Sequence, residues 1–174
     1  DPEVAIAQIA KHKPKGIILS GGPSSVYEKG APSIDRRIFE LHIPILGICY
    51  GLQLTAHLLG GKVVGGNREY GPSSLKINSE GILLSGVESN SVVWVSHGDT
   101  VVEVPSGFTY LGETESVKAA AVADFSRNIF GIQFHPEVDH TVFGNEILKN
   151  FAEKICGMKL SKQEINVEEL VGKI

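Results

Sequence analysis

The sequence predicts an α/β domain: a doubly wound, mostly parallel central sheet with helices on both faces and a small β-rich extension. Three observations carry this. Strand-sized apolar runs alternate with segments of helical spacing over the first third of the chain, the signature of parallel strands joined by crossover helices. Beyond Val63 the texture changes to short β-rich runs, which extend or flank the sheet and are expected to be partly antiparallel. A chain of 174 residues with 42% hydrophobic content is long enough for one core and short for two.

Taken in order, the chain opens without Met on Asp1-Pro2-Glu3, where Asp1 can cap a helix and Pro2 suits its first turn. Residues upstream are expected. Val4, Ile6 and Ile9 with intervening alanines read as a short helix that ends near Lys13-Pro14. Gly16-Ile17-Ile18-Leu19 is a buried strand that stops at the loop Ser20-Gly21-Gly22-Pro23. A helix is expected over Ile34 to Leu41, where Ile34, Ile38 and Leu41 share a face. Pro44 opens the strand Ile45 to Ile48. The helix Gln53 to Leu59 follows and stops at Gly60-Gly61. The β-rich runs are Ser74 to Ile77, Ile82 to Leu84, Val92 to Ser96, Phe108 to Glu113, Ala119 to Ala123 and Ile129 to Phe134. Ile147, Leu148, Phe151 and Ile155 give a closing helix ended by Gly157.

Composition excludes several partners. With a formal net charge of −4 there is no broad basic surface for nucleic acid or anionic lipid. Neither a membrane span nor a signal peptide is visible. Two cysteines, Cys49 and Cys156, are too few for a disulfide framework or a zinc site, which fits a reducing, cytoplasmic setting.

In such sheets ligands bind beyond the carboxyl ends of the strands. Four segments are placed there: Ser20 to Pro23, Gly47 to Gly51, Ser96 to Asp99 and Phe134 to Glu137. Gly47-x-Cys49-x-Gly51 has the form of a nucleophile elbow, in which small residues let strand and helix approach while the central side chain sits on a tight turn. Backbone N–H groups of the following helix would lie beside the sulfur. For a cysteine without context a core position would be the better reading, but the flanking glycines reverse that. His135-Pro136-Glu137 can supply a base and the acceptor that orients it, because Pro136 keeps these residues extended. Cys49, His135 and Glu137 then form a candidate catalytic triad. Gly21 and Gly22 can present unencumbered backbone N–H groups to an oxyanion. His97 is a rival base, though its neighbours Gly98 and Asp99 equally fit a ligand-contact loop. His12, His42, His57 and His140 are better read as surface or packing residues, and Cys156 as structural.

Together these segments resemble the class I glutamine amidotransferase family, whose fold is flavodoxin-like, over most of residues 14 to 157. Related branches usually carry Leu after the cysteine, whereas here it is Tyr50. Ser20-Gly21-Gly22-Pro23 with Ser25-Val26-Tyr27, Arg68-Glu69-Tyr70-Gly71, Ser96-His97-Gly98-Asp99 and Gln133-Phe134-His135-Pro136-Glu137-Val138 resemble the glutaminase domains of the GMP synthetase branch. Asp139 stands where that branch often has Thr.

The resemblance implies that Cys49 attacks the side-chain amide of L-glutamine, with Gly22 and Tyr50 holding the oxyanion, and that His135, oriented by Glu137, protonates the departing ammonia and then activates water. It further implies that Gly21, Gln53, Ser96, Gly98 and Asp99 bind glutamine, and that no metal or other cofactor is needed in this domain. The partner it implies is an ATP pyrophosphatase domain or subunit, using ATP and Mg, that aminates XMP to GMP; nothing in this chain resembles it. Residues 1–157 are accordingly expected to be the amidotransferase domain, with its N-terminal strand missing, and 158–174 a linker toward that absent domain. The rival readings are a cysteine peptidase or γ-glutamyl hydrolase on a similar fold, another amidotransferase subunit, and a binding module without turnover. Deamidation of free glutamine, with peptides and polyglutamyl chains left intact, separates the glutaminase reading from the hydrolases.

Overall fold

The computed structural model describes residues 2–79 and 81–159. Most of the segment expected to be a linker, and the Asp1 cap, therefore lie outside the described residues. Helix α1 (Pro2–His12) leads to strand β1 (Ile17–Leu19), which lies parallel to β2 (Ile45–Ile48); β2 in turn lies parallel to β7 (Ile129–Ile132). Helix α2 (Tyr50–Leu58) follows β2 directly. The rest of the sheet is antiparallel: β3 (Lys62–Ile77), β4 (Ser91–Glu103), β5 (Thr109–Glu113) and β6 (Ala121–Asp124) complete the order β1-β2-β7-β6-β5-β3-β4. The α/β class holds, but the sheet is mixed rather than mostly parallel, since only β1–β2 and β2–β7 pair in parallel; the extension is larger than the sequence suggests and contributes the long β3–β4 hairpin, paired from Lys62↔Glu103 to Leu75↔Ser91.

Both faces of the sheet are covered. Leu46, Ile48, Phe130 and Ile132 pack with Ile147 and Phe151 of the closing helix, while Ile45 and Ile129 meet Ile6 and Ile9 of α1. β1 is not the buried strand its run suggests, because Ile18 is 51% exposed, whereas β2 and β7 are buried on both faces and so need apolar residues at consecutive positions. Fully burying each such side chain contributes roughly 1.5–3 kcal/mol. The closing helix begins as α3 (Gly144–Lys149), continues as π-helical turns over Asn150–Ile155, and gives way at Gly157.

Three further expectations need correction. Ile34 to Leu41 is not an α-helix; only a 3-10 helix forms, over Arg36–Glu40. The Asp35 carboxylate accepts the Arg37 N–H and starts the turn late, and His42 at φ +56° ends it early, although Ile34, Ile38 and Leu41 still share one apolar cluster. Ile82–Leu84 is likewise a 3-10 helix rather than a strand: Leu83 and Leu84 are both buried, which a one-faced strand could not arrange. Asn150 Nδ2 donates to the carbonyls of Leu83 (3.0 Å) and Ser85 (2.7 Å), satisfying acceptors a ladder would have used. Finally, Ser96 to Asp99 does not follow a strand end; it lies inside β4, because β4 continues to Glu103 against β3.

Candidate active site

Register brings three strand ends together. Leu19 pairs with Gly47 and Ile48 with Ile132, so the residues leaving β1, β2 and β7 emerge level with one another. Those residues are Gly21, Cys49 and His135. Cys49 takes φ +50° and ψ −105°, a backbone region that non-glycine residues avoid and that marks functional turns. It is held there by its own hydrogen bonds: its N–H donates to Ile132 O (2.8 Å) and its carbonyl accepts the Gln53 N–H (3.1 Å). The flanking glycines are a matter of space. A Cβ on Gly51 would fall 2.0 Å from Leu19 O, and one on Gly47 would fall 2.7 Å from the Gly51 carbonyl group.

His135 follows Gln133 by two residues, so both side chains leave the same side of the chain. The His135 N–H donates to Trp94 O (2.9 Å), and its carbonyl accepts the Thr141 hydroxyl (2.5 Å), which itself accepts the Trp94 N–H (3.0 Å). His135 Nδ1 lies 2.7 Å from Glu137 Oε1, whereas Nε2 is buried and makes no aligned hydrogen bond. The Cys49 sulfur beside the ring, opposed by burial and assisted by the Glu137 carboxylate, pushes His135 up to about 9.

Gly21 packs against this pair, since a Cβ there would sit 3.0 Å from His135 Cε1 and 3.7 Å from Cys49 Cβ. Gly22 lies over Tyr50, whose ring would be 3.7 Å from such a Cβ. Tyr50 opens α2, so its N–H has no partner within the helix. The Tyr50 hydroxyl donates to Pro32 O (2.5 Å) and ties the segment between β1 and the 3-10 helix to α2. Burial, with the nearby Glu28 carboxylate, raises the Tyr50 phenol above its usual range.

Cys49 and Gly22 open on a cleft of about 290 Å³ that is also lined by Gln53, Ser96, Gly98 and Asp99 among others, while Gly21, His135 and Glu137 lie outside its lining. Ser96 O approaches Cys49 Sγ at 3.6 Å, and Gln53 Nε2 donates to Asp99 O (2.8 Å). A larger cleft of about 730 Å³ between Ile77 and Ser89 has no charged, Cys or His residue among its described lining. Of these two, only the smaller is lined by a cysteine, a histidine and carboxylates. Among the described residues, several buried polar side-chain atoms without an aligned partner lie around it, namely His135 Nε2, Asp99 Oδ2 and Gln133 Oε1, whereas Glu69 Oε2 and His97 Nε2 face each other at 3.1 Å. Unmet groups in a cleft are what a polar ligand would satisfy.

His97 does not stand beside Cys49 as an oriented base. It is buried, and its Nε2 lies 3.1 Å from Glu69 Oε2. Burial pushes it below the usual imidazole range despite that carboxylate. His12, His57 and His140 contact Gln8, Tyr27 and Trp94 respectively. Cys49 and Cys156 are both free thiols. Three contributors escape a residue-by-residue reading of the sequence: Gln133, whose Nε2 lies 3.7 Å from Cys49 Sγ, Thr141 and Glu69. Gln133 and Glu69 lie in segments that carry the family resemblance, without a role assigned to them there; nothing local marks Thr141.

The profile of the family described as glutamine amidotransferase class-I matches residues 2–155. The chain belongs to that family. Its curated relatives include a GMP synthase (glutamine-hydrolyzing) of Streptococcus thermophilus, 53% identical over 161 residues, and one of Staphylococcus aureus, 51% identical over 160. These alignments cover 90% and 91% of this chain but only 31% of each relative, so the chain spans about a third of their length. Among solved structures, a candidate GMP synthase subunit from Thermoplasma acidophilum superposes with a TM-score of 0.70 at 29% identity, covering 91% of this chain and 77% of that one. A glutamine amidotransferase of Thermotoga maritima gives 0.60 at 25%, covering 89% and 68%. No helix among the described residues is long and apolar enough to cross a membrane.

Proposed function

We propose that this chain is a glutaminase unit that hydrolyses L-glutamine to glutamate and ammonia, and that the ammonia serves the amination of XMP to GMP. The observation that carries this reading is Cys49 at positive φ between β2 and α2, with the His135–Glu137 pair beside it. In this reading Cys49 Sγ attacks the glutamine side-chain carbonyl. The oxyanion is met by the N–H groups of Gly22 and Tyr50. A value of about 9 means that at neutral pH His135 carries a proton, ready for the departing nitrogen. Ammonia leaves and a glutamyl thioester remains. His135 then takes a proton from water, hydroxide attacks the thioester, and glutamate departs as the sulfur is released. Glu137 holds the imidazole throughout. Gly21, Gln53, Ser96, Gly98 and Asp99 seat the amino-acid end, with the buried Asp99 Oδ2 as an acceptor for the ammonium group.

Amination would take place on an ATP pyrophosphatase domain or subunit using ATP and Mg, in the cytoplasm. Support comes from the relatives, which are named for GMP synthesis and extend far beyond the matched region. The test is labelling with a glutamine-mimicking electrophile and location of the adduct by mass spectrometry. One adduct on Cys49, blocked by glutamine, is expected. Labelling at Cys156, or no protection by glutamine, overturns the assignment. Cleavage of peptides or polyglutamyl chains with free glutamine untouched would move the chain to the hydrolases.

A further inference from the structure

β4 does more at the cleft than present three substrate contacts. His97 continues the inward row of Val93 and Val95, a position that an apolar residue would ordinarily fill. It lies directly opposite Glu69 in the β3–β4 pairing, with Nε2 3.1 Å from Oε2, and its side chain is only 1% exposed. This is also where the ladder breaks. Between Gly65↔Asp99 and Glu69↔His97, β3 advances four residues while β4 advances two, and Gly66 within the bulge turns through φ +110°. The side-chain pair therefore joins the strands where backbone pairing is interrupted.

The atoms on either side of His97 form the cleft wall. Ser96 O approaches Cys49 Sγ at 3.6 Å, and Asp99 O accepts Gln53 Nε2 at 2.8 Å. Both belong to the stretch of β4 that the His97 side chain fastens to Glu69. We infer that Glu69 and His97 are a positioning pair that holds the Ser96–Asp99 wall in register with Cys49, so that the amino-acid end of glutamine is gripped while the reacting groups stay free. The inference rests on the glutamine reading of the cleft. It assigns the pair no proton transfer and no direct role at the sulfur. The buried imidazole left without its carboxylate would lose its side-chain acceptor, and the carboxylate its donor, so each partner depends on the other.

The test uses the intact protein carrying His97→Ala, Glu69→Ala, the double substitution and the isosteric Glu69→Gln. Cys49 is labelled in parallel with iodoacetamide, which has no amino-acid end, and with a diazoketone analogue of glutamine. For the two alanine variants we expect the KM for glutamine to rise, and labelling by the analogue to slow, about tenfold, with kcat and iodoacetamide labelling within about twofold of the unmodified protein. The double variant should cost no more than His97→Ala, and Glu69→Gln should retain most of the affinity. Circular dichroism and melting temperature identify any alanine variant that has lost its fold, in which case Glu69→Gln against His97→Gln decides. An unchanged KM overturns the inference. So do multiplicative losses in the double variant, which make the residues independent, and a parallel fall in iodoacetamide labelling, which places His97 at the sulfur itself. If glutamine gives no protection in the unmodified protein, the substrate reading falls and this inference falls with it.

Discussion

The three parallel strands and the β3–β4 hairpin build opposite walls of one cleft by different means. β1, β2 and β7 end at the site, so their contributions are the residues just past an apolar run: Gly21, Cys49 and His135. The hairpin passes by the site, so its contributions come from mid-strand and depend on a bulge and a cross-strand pair. Strand ends set the positions of reacting atoms through register, which is stiff. A hairpin wall is set by side chains that interlock, which is adjustable. The first wall thus suits chemistry and the second suits recognition.

The sharpest way to break that division is to remove chemistry without touching recognition. Cys49→Ala should abolish glutamine hydrolysis, a loss on the order of 100,000-fold, while glutamine still binds. Equilibrium binding of labelled glutamine to the variant checks this, and loss of binding would mean that the walls are not separable. Next in size is His135→Ala, which should slow turnover about a thousandfold, far more than His97→Ala. The reverse order in steady-state assays would transfer the base role to the hairpin. Gly51→Ala attacks the stiffness itself. Its new Cβ would meet Leu19 O at 2.0 Å, so β1 and α2 must separate. We expect a stability loss of about 3 kcal/mol and a melting temperature lower by roughly 6–12 °C. An unshifted melting curve would show that the elbow is looser than its geometry.

The same division explains what could be read from the sequence. The Gly47-x-Cys49-x-Gly51 and His135-Pro136-Glu137 spacings are local consequences of strand-end geometry, so they are visible in a few residues. The role of Glu69 is not local, since it follows from a bulge that sets Gly65 opposite Asp99 and Glu69 opposite His97. Ser96 to Asp99 reads as a loop because Ser, Gly and Asp are turn residues, and only their pairing with β3 makes them strand. Ile34 to Leu41 shows a third kind of limit. Its apolar face is real, yet Asp35 and His42 cut the helix to one 3-10 turn. Thr141 bridges His135 and Trp94 from a turn whose sequence shows no sign of it.

The smallest expected effect is on pH, and it separates the walls by sign. His135 holds its proton in the fold up to about 9, above its value near 6.5 when unfolded. Its contribution to stability is then complete below about pH 6.5 and is lost as pH rises through about 9. His97 is shifted the other way by burial, so the fold favours its neutral form. Its contribution is present above about pH 6.5 and is lost as pH falls through the depressed value. Melting temperature followed across pH should therefore respond on opposite limbs: His135→Asn flattens the alkaline decline, and His97→Asn flattens the acid one. The His135 effect should be modest, because solvent reaches part of that site and screens it. If both substitutions flatten the same limb, the two histidines titrate as one cluster, and the separation of a reacting wall from a gripping wall fails at the point where the two lie closest.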